Sequence, residues 1–319
     1  MKTNLYTLTM FLVIALIGII CAGCATQATQ DVPTSTPPPP TPIPPTPEVT
    51  TDPLSATVME MVARVNAGDF AGAAELFADD GMVYLVGMPP TGMEIYRGKE
   101  QFRTFLEECC TDQNFVWEVT PERVEDGVVF AEAKTWMDFT RDLGVAPNSF
   151  HEVFVVQNGK ITLYYSTITQ DALANFKPVL FEAIPELAAA VQPPADSNET
   201  PVNEISVTLT NDTCAYDGPM TLQAGELIVN VDVQDARFER YALTFFTLDE
   251  GKDLIDLMAS TYNPSPPSWS DMVFIKELTP GESQTFDGFY VKAGLLYMVC
   301  WAGPPDLPIG NAGPFLVKE

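Results

Sequence analysis

Histidine is nearly absent from this chain: His151 is the single one in 319 residues. A blue-copper centre needs two imidazoles beside a thiolate, so that chemistry is excluded, and no metal or cofactor site is expected. A serine-type triad would have one candidate base, and no nucleophile motif accompanies it. Basic side chains are scarce too, 16 Lys and Arg against 43 Asp and Glu, for a net charge of -27. The deficit is not confined to a tail, because residues 54–178 carry 19 acidic and 9 basic side chains and residues 199–319 carry 18 and 6. Both stretches repel phosphate backbones and anionic headgroups, which argues against nucleic acid and acidic lipid surfaces as partners. Long apolar runs are also missing. The run from Met10 to Ile20 falls short of the about 20 residues that a spanning helix needs.

That short run has its own meaning. Lys2 precedes it and Cys21-Ala22-Gly23-Cys24 follows, the order of a positive n-region, an apolar h-region and small residues before a cut. It resembles a bacterial lipoprotein signal over residues 1–24, with Cys24 as the lipid acceptor, although Cys21 stands where such signals carry leucine. The expected location is extracytoplasmic, anchored to a membrane through an N-terminal lipid. Between Asp31 and Pro53 there are ten prolines, four of them consecutive from Pro37 to Pro40. Proline favours polyproline II, so residues 25–53 are read as a stiff stalk reaching about 90 Å when extended.

Cysteine is the next constraint. With Cys21 lost in the signal and Cys24 lipidated, Cys109, Cys110, Cys214 and Cys300 remain. In an oxidising compartment Cys214 and Cys300 are expected to pair. For the adjacent Cys109 and Cys110 a vicinal disulfide, a buried thiol pair and bonding elsewhere stay open.

Helical spacing of Val58, Met61, Val62 and Val65 predicts a helix over 54–66, and a second short helix follows from Phe70 to Phe77. Asp79-Asp80-Gly81 then breaks the chain into a strand, Met82 to Val86, and a third helix runs from Lys99 to Cys109. Strands are expected at 115–119, 128–139, 150–157 and 161–168, with Asn158-Gly159 as a hairpin turn between the last two. Helices come first and an antiparallel meander second, so the helices are the available cover for one face of the sheet. The segments NAGDFAGAAELFADDGMVYL, YRGKEQFRTFL and VFVVQNGKI resemble a SnoaL-like domain of the nuclear transport factor 2-like superfamily over about 54–175. The resemblance implies a curved sheet wrapped round helices into a cone, often with a pocket for a small apolar molecule. Some members are isomerases, cyclases or epoxide hydrolases, and many only bind or scaffold.

The resemblance to the steroid-isomerase branch implies an aspartate base five residues after Asp80, where this chain has Leu85, which cannot take a proton. Resemblance to the cyclase branch implies a carboxylate paired with a histidine, and Asp138 with His151 is the candidate pair. Tyr84, Met93, Trp117, Trp136 and Tyr165 are candidate walls for an apolar pocket.

Residues 170–191 read as helical with interruptions at Pro178 and Pro185, and QPPADSNETP then reads as a linker, so 179–203 is taken as a helix and linker between the domains. From 204 to 319 short strands recur at 204–210, 227–233, 241–248, 272–278, 286–291 and 295–301, with a helix near 252–260, which argues for an all-β sandwich. The stretch LTPGESQTFDGFYVKAGLLYMVCWAGPP and the closing GPFLVKE resemble the C-terminal half of a cupredoxin. No histidine lies between Glu152 and Glu319, so the resemblance extends to the fold and not to copper electron transfer. The expected class is α+β, a cone-like domain over 54–178 followed by a β-sandwich over 204–319. The expected function is a lipid-anchored, non-enzymatic protein that binds a small apolar ligand or a partner through the cone. An exported enzyme using His151 and Asp138 is the alternative, and the oligomeric state is left open.

Overall fold

A computed structural model describes residues 52–89, 91–192, 200–210, 213–234, 238–262, 265–303 and 306–319. The expected signal, Cys24 and the stalk as far as Thr51 lie outside these residues. Asp52 opens the first helix, α1 (Pro53–Asn66), by accepting from the Leu54 amide at 2.8 Å, with Pro53 supplying a fixed φ at the first helical position. Asp69 caps α2 (Phe70–Ala74) in the same way through Gly72. The spacing read from Val58 to Val65 is the buried stripe of α1.

β1 (Phe77–Val86), β2 (Met93–Arg97), α3 (Gly98–Cys110), β3 (Val116–Glu125), β4 (Val128–Trp136), α4 (Asp138–Asp142), β5 (Asn148–Gln157) and β6 (Lys160–Ile168) follow. The strands form one six-stranded sheet in the order β2-β1-β6-β5-β4-β3. Asn158 (φ 52°) and Gly159 (φ 71°) make the expected β5–β6 turn, both in the left-handed region that a two-residue hairpin favours. Three expectations are corrected. Asp79-Asp80-Gly81 does not break the chain: it lies inside β1 as a register irregularity between Phe77 and Met82, with both carboxylates turned to solvent. The meander from β3 to β6 is antiparallel as expected, but the sheet as a whole is not, because β1 joins β6 in parallel. β4 ends at Trp136, and Asp138 starts the short helix α4, bracketed by Thr140 bonds to the Met137 backbone.

The inner face of this sheet packs on α1, α2 and α3 through Val83, Trp117, Ala131, Phe154 and Tyr164. At the outer edge, β3, the Asn66 side-chain amide donates to the Trp117 carbonyl at 2.7 Å and accepts from the Trp117 amide at 2.8 Å. Of the alternatives left open for Cys109 and Cys110, the vicinal disulfide is the one found, at the end of α3.

α5 (Gln170–Ala183) runs straight through Pro178 and ends where Ile184 leaves helical geometry before α6 (Pro185–Ala190). The expected domain boundary at 178 therefore falls inside a helix. The rest is mostly strand: β7 (Glu204–Thr210), β8 (Thr213–Tyr216), β9 (Thr221–Gln223), β10 (Gly225–Val233), β11 (Arg240–Leu248), β12 (Ser270–Leu278), β13 (Ser283–Val291), β14 (Gly294–Gly303) and β15 (Leu307–Lys318), with α7 (Leu254–Ala259) between β11 and β12. They form a four-stranded sheet, β13-β10-β7-β8, and a five-stranded sheet, β12-β11-β14-β15-β9, consistent with a β-sandwich. Cys214 of one sheet is bonded to Cys300 of the other, with Cα atoms 6.0 Å apart, as expected from the cysteine count. Gly310 on β15 lies against Cys214, and a Cβ there would stand 2.6 Å from the cysteine carbonyl oxygen.

The two halves share one core. Met82, Tyr84, Val86, Val153, Leu163 and Tyr165 on the outer face of the first sheet join Tyr241, Leu257, Met258 and other sandwich residues in a single apolar cluster. The described residues belong to one compact unit, Thr50–Glu319. Lys177 on α5 fastens the junction, standing 2.7 Å from Asp253 and 2.6 Å from Asp256 at the start of α7.

Candidate functional site

The strand β5 decides what each face of the first sheet carries. Side chains alternate along a strand, so Glu152, Phe154 and Val156 turn inward while His151, Val153 and Val155 turn outward. Glu152 thereby becomes a buried carboxyl inside the cone, 1% exposed. Trp117 Nε1 donates to its Oε1 at 3.1 Å and the Tyr164 hydroxyl donates to the same oxygen at 2.8 Å. Oε2 is buried and makes no well-formed hydrogen bond among the described residues, with its register partner Ser166 close by. Burial raises the carboxyl to a pKa of about 8, outweighing the donors from Tyr164, Trp117 and Ser166 that favour its charge. At neutral pH the group therefore holds its proton. Burial and the neighbouring Glu152 also raise the Tyr164 hydroxyl well above its ordinary value. Around this centre the cone is filled by rings: Phe154 and Tyr164 stack with centroids 4.8 Å apart, and Trp117 lies 5.6 Å from Tyr164. Ala131, the register partner of Glu152, leaves the space the carboxyl occupies.

The residues singled out from sequence do not gather in one place. His151, on the outer face, stacks on Tyr262 with centroids 4.2 Å apart and planes 6° apart. Burial lowers its pKa, while Glu132 and Glu122 pull the other way. Asp138 is held elsewhere, accepting from Asn114 at 2.7 Å and from Arg141 at 3.0 Å. Tyr84 and Tyr165 are fully buried in the core between the halves, and Met93 packs against it. The Tyr165 hydroxyl shares a 2.8 Å hydrogen bond with Thr261, and burial raises it to about 12. Trp117 faces into the cone, and Trp136 ends β4, half-buried. Glu152 was missed, yet its signal was present: it breaks the apolar phase Phe150–Glu152–Phe154 with a charge.

A cavity of about 620 Å³ opens at the junction of the two halves. The first sheet contributes Phe130 and Val153, β11 contributes Ala242 and Phe246, and Tyr262 and Trp301 add aromatic wall. Its cations already have carboxylate neighbours. Arg123 lies over the Phe130 ring at 3.7 Å and 3.4 Å from Glu125, and Arg240 pairs with Asp306. Among the described residues no group of His, Cys, Asp and Glu is placed to hold a metal ion, and no helix is long and apolar enough to cross a membrane.

Residues 58–164, about a third of the chain, match the family model of the SnoaL-like domain. Residues 58–164 thus form a SnoaL-like domain. Among solved structures, a protein from Sphaerobacter thermophilus is 23% identical, with 35% of this chain and 92% of that one covered and a TM-score of 0.29. An NTF2-like protein from Cytophaga hutchinsonii is 13% identical over 40% of this chain and 98% of that one, TM-score 0.31. An LEH-like epoxide hydrolase from M. tuberculosis is 17% identical over 42% and 96%, TM-score 0.30. A search of curated proteins finds no match.

Proposed function

We propose that this chain is an extracytoplasmic, lipid-anchored binding protein for a small, mainly apolar ligand, and that the ligand sits in the cavity between the SnoaL-like domain and the sandwich. The cavity carries the reading. At about 620 Å³ it falls in the size range of small-molecule sites, and its wall is mostly aromatic and aliphatic with a few polar groups. Anchoring rests on the pattern from Lys2 to Cys24, and the sandwich is read as cupredoxin-like in fold, without copper ligands. Mass spectrometry of small molecules carried by the purified chain tests the binding. Recovery of one apolar compound, lost when Ala242→Trp fills the cavity, is expected; an empty protein under native conditions would count against it. Metabolic labelling with a fatty-acid analogue tests the anchor, and label that persists in Cys24→Ser would sink that part.

The second reading is an enzyme, and one observation favours it. Glu152 is a carboxyl that keeps its proton at neutral pH, a property of general acids. Its Oε2, which makes no well-formed hydrogen bond among the described residues, gives that proton a place. Turnover of an added ketone or epoxide that vanished in Glu152→Gln would move the reading to this site.

A further inference from the structure

The cavity has a polar end whose groups are not fully satisfied. His151 Nδ1, Thr167 Oγ1 and the Tyr262 hydroxyl are buried without a well-formed hydrogen bond among the described residues, although the Tyr165 hydroxyl lies close to Thr167 and Arg123 lies close to Tyr262. The three groups are neighbours. His151 and Thr167 are register partners on β5 and β6, His151 stacks on Tyr262, and Tyr262 is part of the cavity wall. Of the three only Tyr262 lines the cavity, and Arg123 beside it can only donate, so the proton of the buried hydroxyl calls for an acceptor that these neighbours do not supply.

Resting on the cavity reading above, we infer that the ligand is an uncharged, largely apolar molecule with one hydrogen-bonding oxygen, an alcohol, phenol or ketone, seated with that oxygen on the Tyr262 hydroxyl. The charge of the site selects against acids. Arg123 and Arg240 face the cavity with Glu125 and Asp306 already beside them, and Glu277 adds a further negative charge to the wall. Glu122 and Glu132 bear on both His151 and Tyr262, so the field at the polar end disfavours an anion. At the same end Arg123 stands close to Tyr262 and opposes a cation. Burial also raises the Tyr262 hydroxyl, which leaves it a donor at neutral pH. The remaining wall, Phe130, Phe246 and Trp301 with Pro266 and Pro267, offers flat faces suited to a ring system.

Equilibrium dialysis of the full chain at pH 7 against naphthalene, 2-naphthol and 2-naphthoate separates the possibilities, since the three share one body and differ in the polar group. We expect 2-naphthol to bind about tenfold more tightly than the other two, the order of effect of one buried hydrogen bond. Tyr262→Phe keeps the ring and removes the hydroxyl; it is expected to bring 2-naphthol to within about threefold of naphthalene and to leave naphthalene unchanged. Equal binding of naphthol and naphthalene to the parent chain, as when a resident water satisfies the three groups, overturns the inference, and so does tightest binding of naphthoate. If none of the three binds, or if binding survives both Ala242→Trp and the rim variant Ser265→Trp, the cavity reading itself fails.

Discussion

Glu152 shows what a single residue contributes when strand phase carries it inside. Its folded pKa of about 8 lies above the value near 4.5 of an exposed glutamate, so the folded chain binds more protons than the unfolded one between those pH values. Stability therefore falls as pH rises through that window, at a cost on the order of a few kcal/mol by the upper end. Glu152→Gln, which stays neutral, should be near the parent at pH 5 and more stable than it at pH 8.5. Urea unfolding at the two pH values checks this, and an equal offset at both would remove the buried proton from the account. Lys177 is the opposite case. Asp256 is pushed up by burial, but Lys177 and Lys252 outweigh this and hold it below the ordinary carboxylate range. Lys177→Met leaves Asp253 and Asp256, both largely buried, without their main partner and should cost roughly 2–3 kcal/mol, less than a fully buried pair. The depressed carboxyl gives its stability above the unfolded pKa and loses it as pH falls, so this deficit should shrink below about pH 4.

At the scale of elements, strong periodicity made α1, α3, β5 and β6 readable, and the Asn158-Gly159 turn fixed one hairpin. The strands that escaped have local reasons. β8 and β9 are only a few residues long, too short for a pattern to declare itself. β15 holds Gly310, Gly313, Pro308 and Pro314, residues that read as breakers, yet register shifts beside Leu296 and Cys300 absorb them into the ladder. Part of the candidate site was legible and part was not. That His151 shares its face with Val153 and Val155 was legible from alternation, but which face this is was not, and the ring that covers it, Tyr262, comes from a loop after α7 that no local pattern ties to β5. The Cys214–Cys300 bond links the two sheets of the sandwich across a separation of 86 residues. Its loss in Cys214→Ser with Cys300→Ser should cost about 4–5 kcal/mol in the chain-entropy view, measurable as a lower denaturation midpoint with an intact cone.

For the whole molecule, the decisive fact is that the sandwich covers the outer face of the SnoaL-like sheet. Tyr84 and Tyr165 on that face are fully buried in the core that the two halves share. A fragment of residues 52–192 should therefore expose a large apolar face and self-associate, as read by light scattering, whereas the intact 52–319 stays dispersed. A monodisperse monomeric fragment would show that the face tolerates water. At one margin of that sheet a helix side chain occupies a rung of the edge. β3 is an edge strand, and a free edge is a template on which other chains can lengthen a sheet into fibrils. By filling the outward rung of Trp117 with its own amide, Asn66 takes that rung out of reach of an incoming strand, so a helix residue with no part in the cavity helps keep neighbouring molecules from adding to this edge.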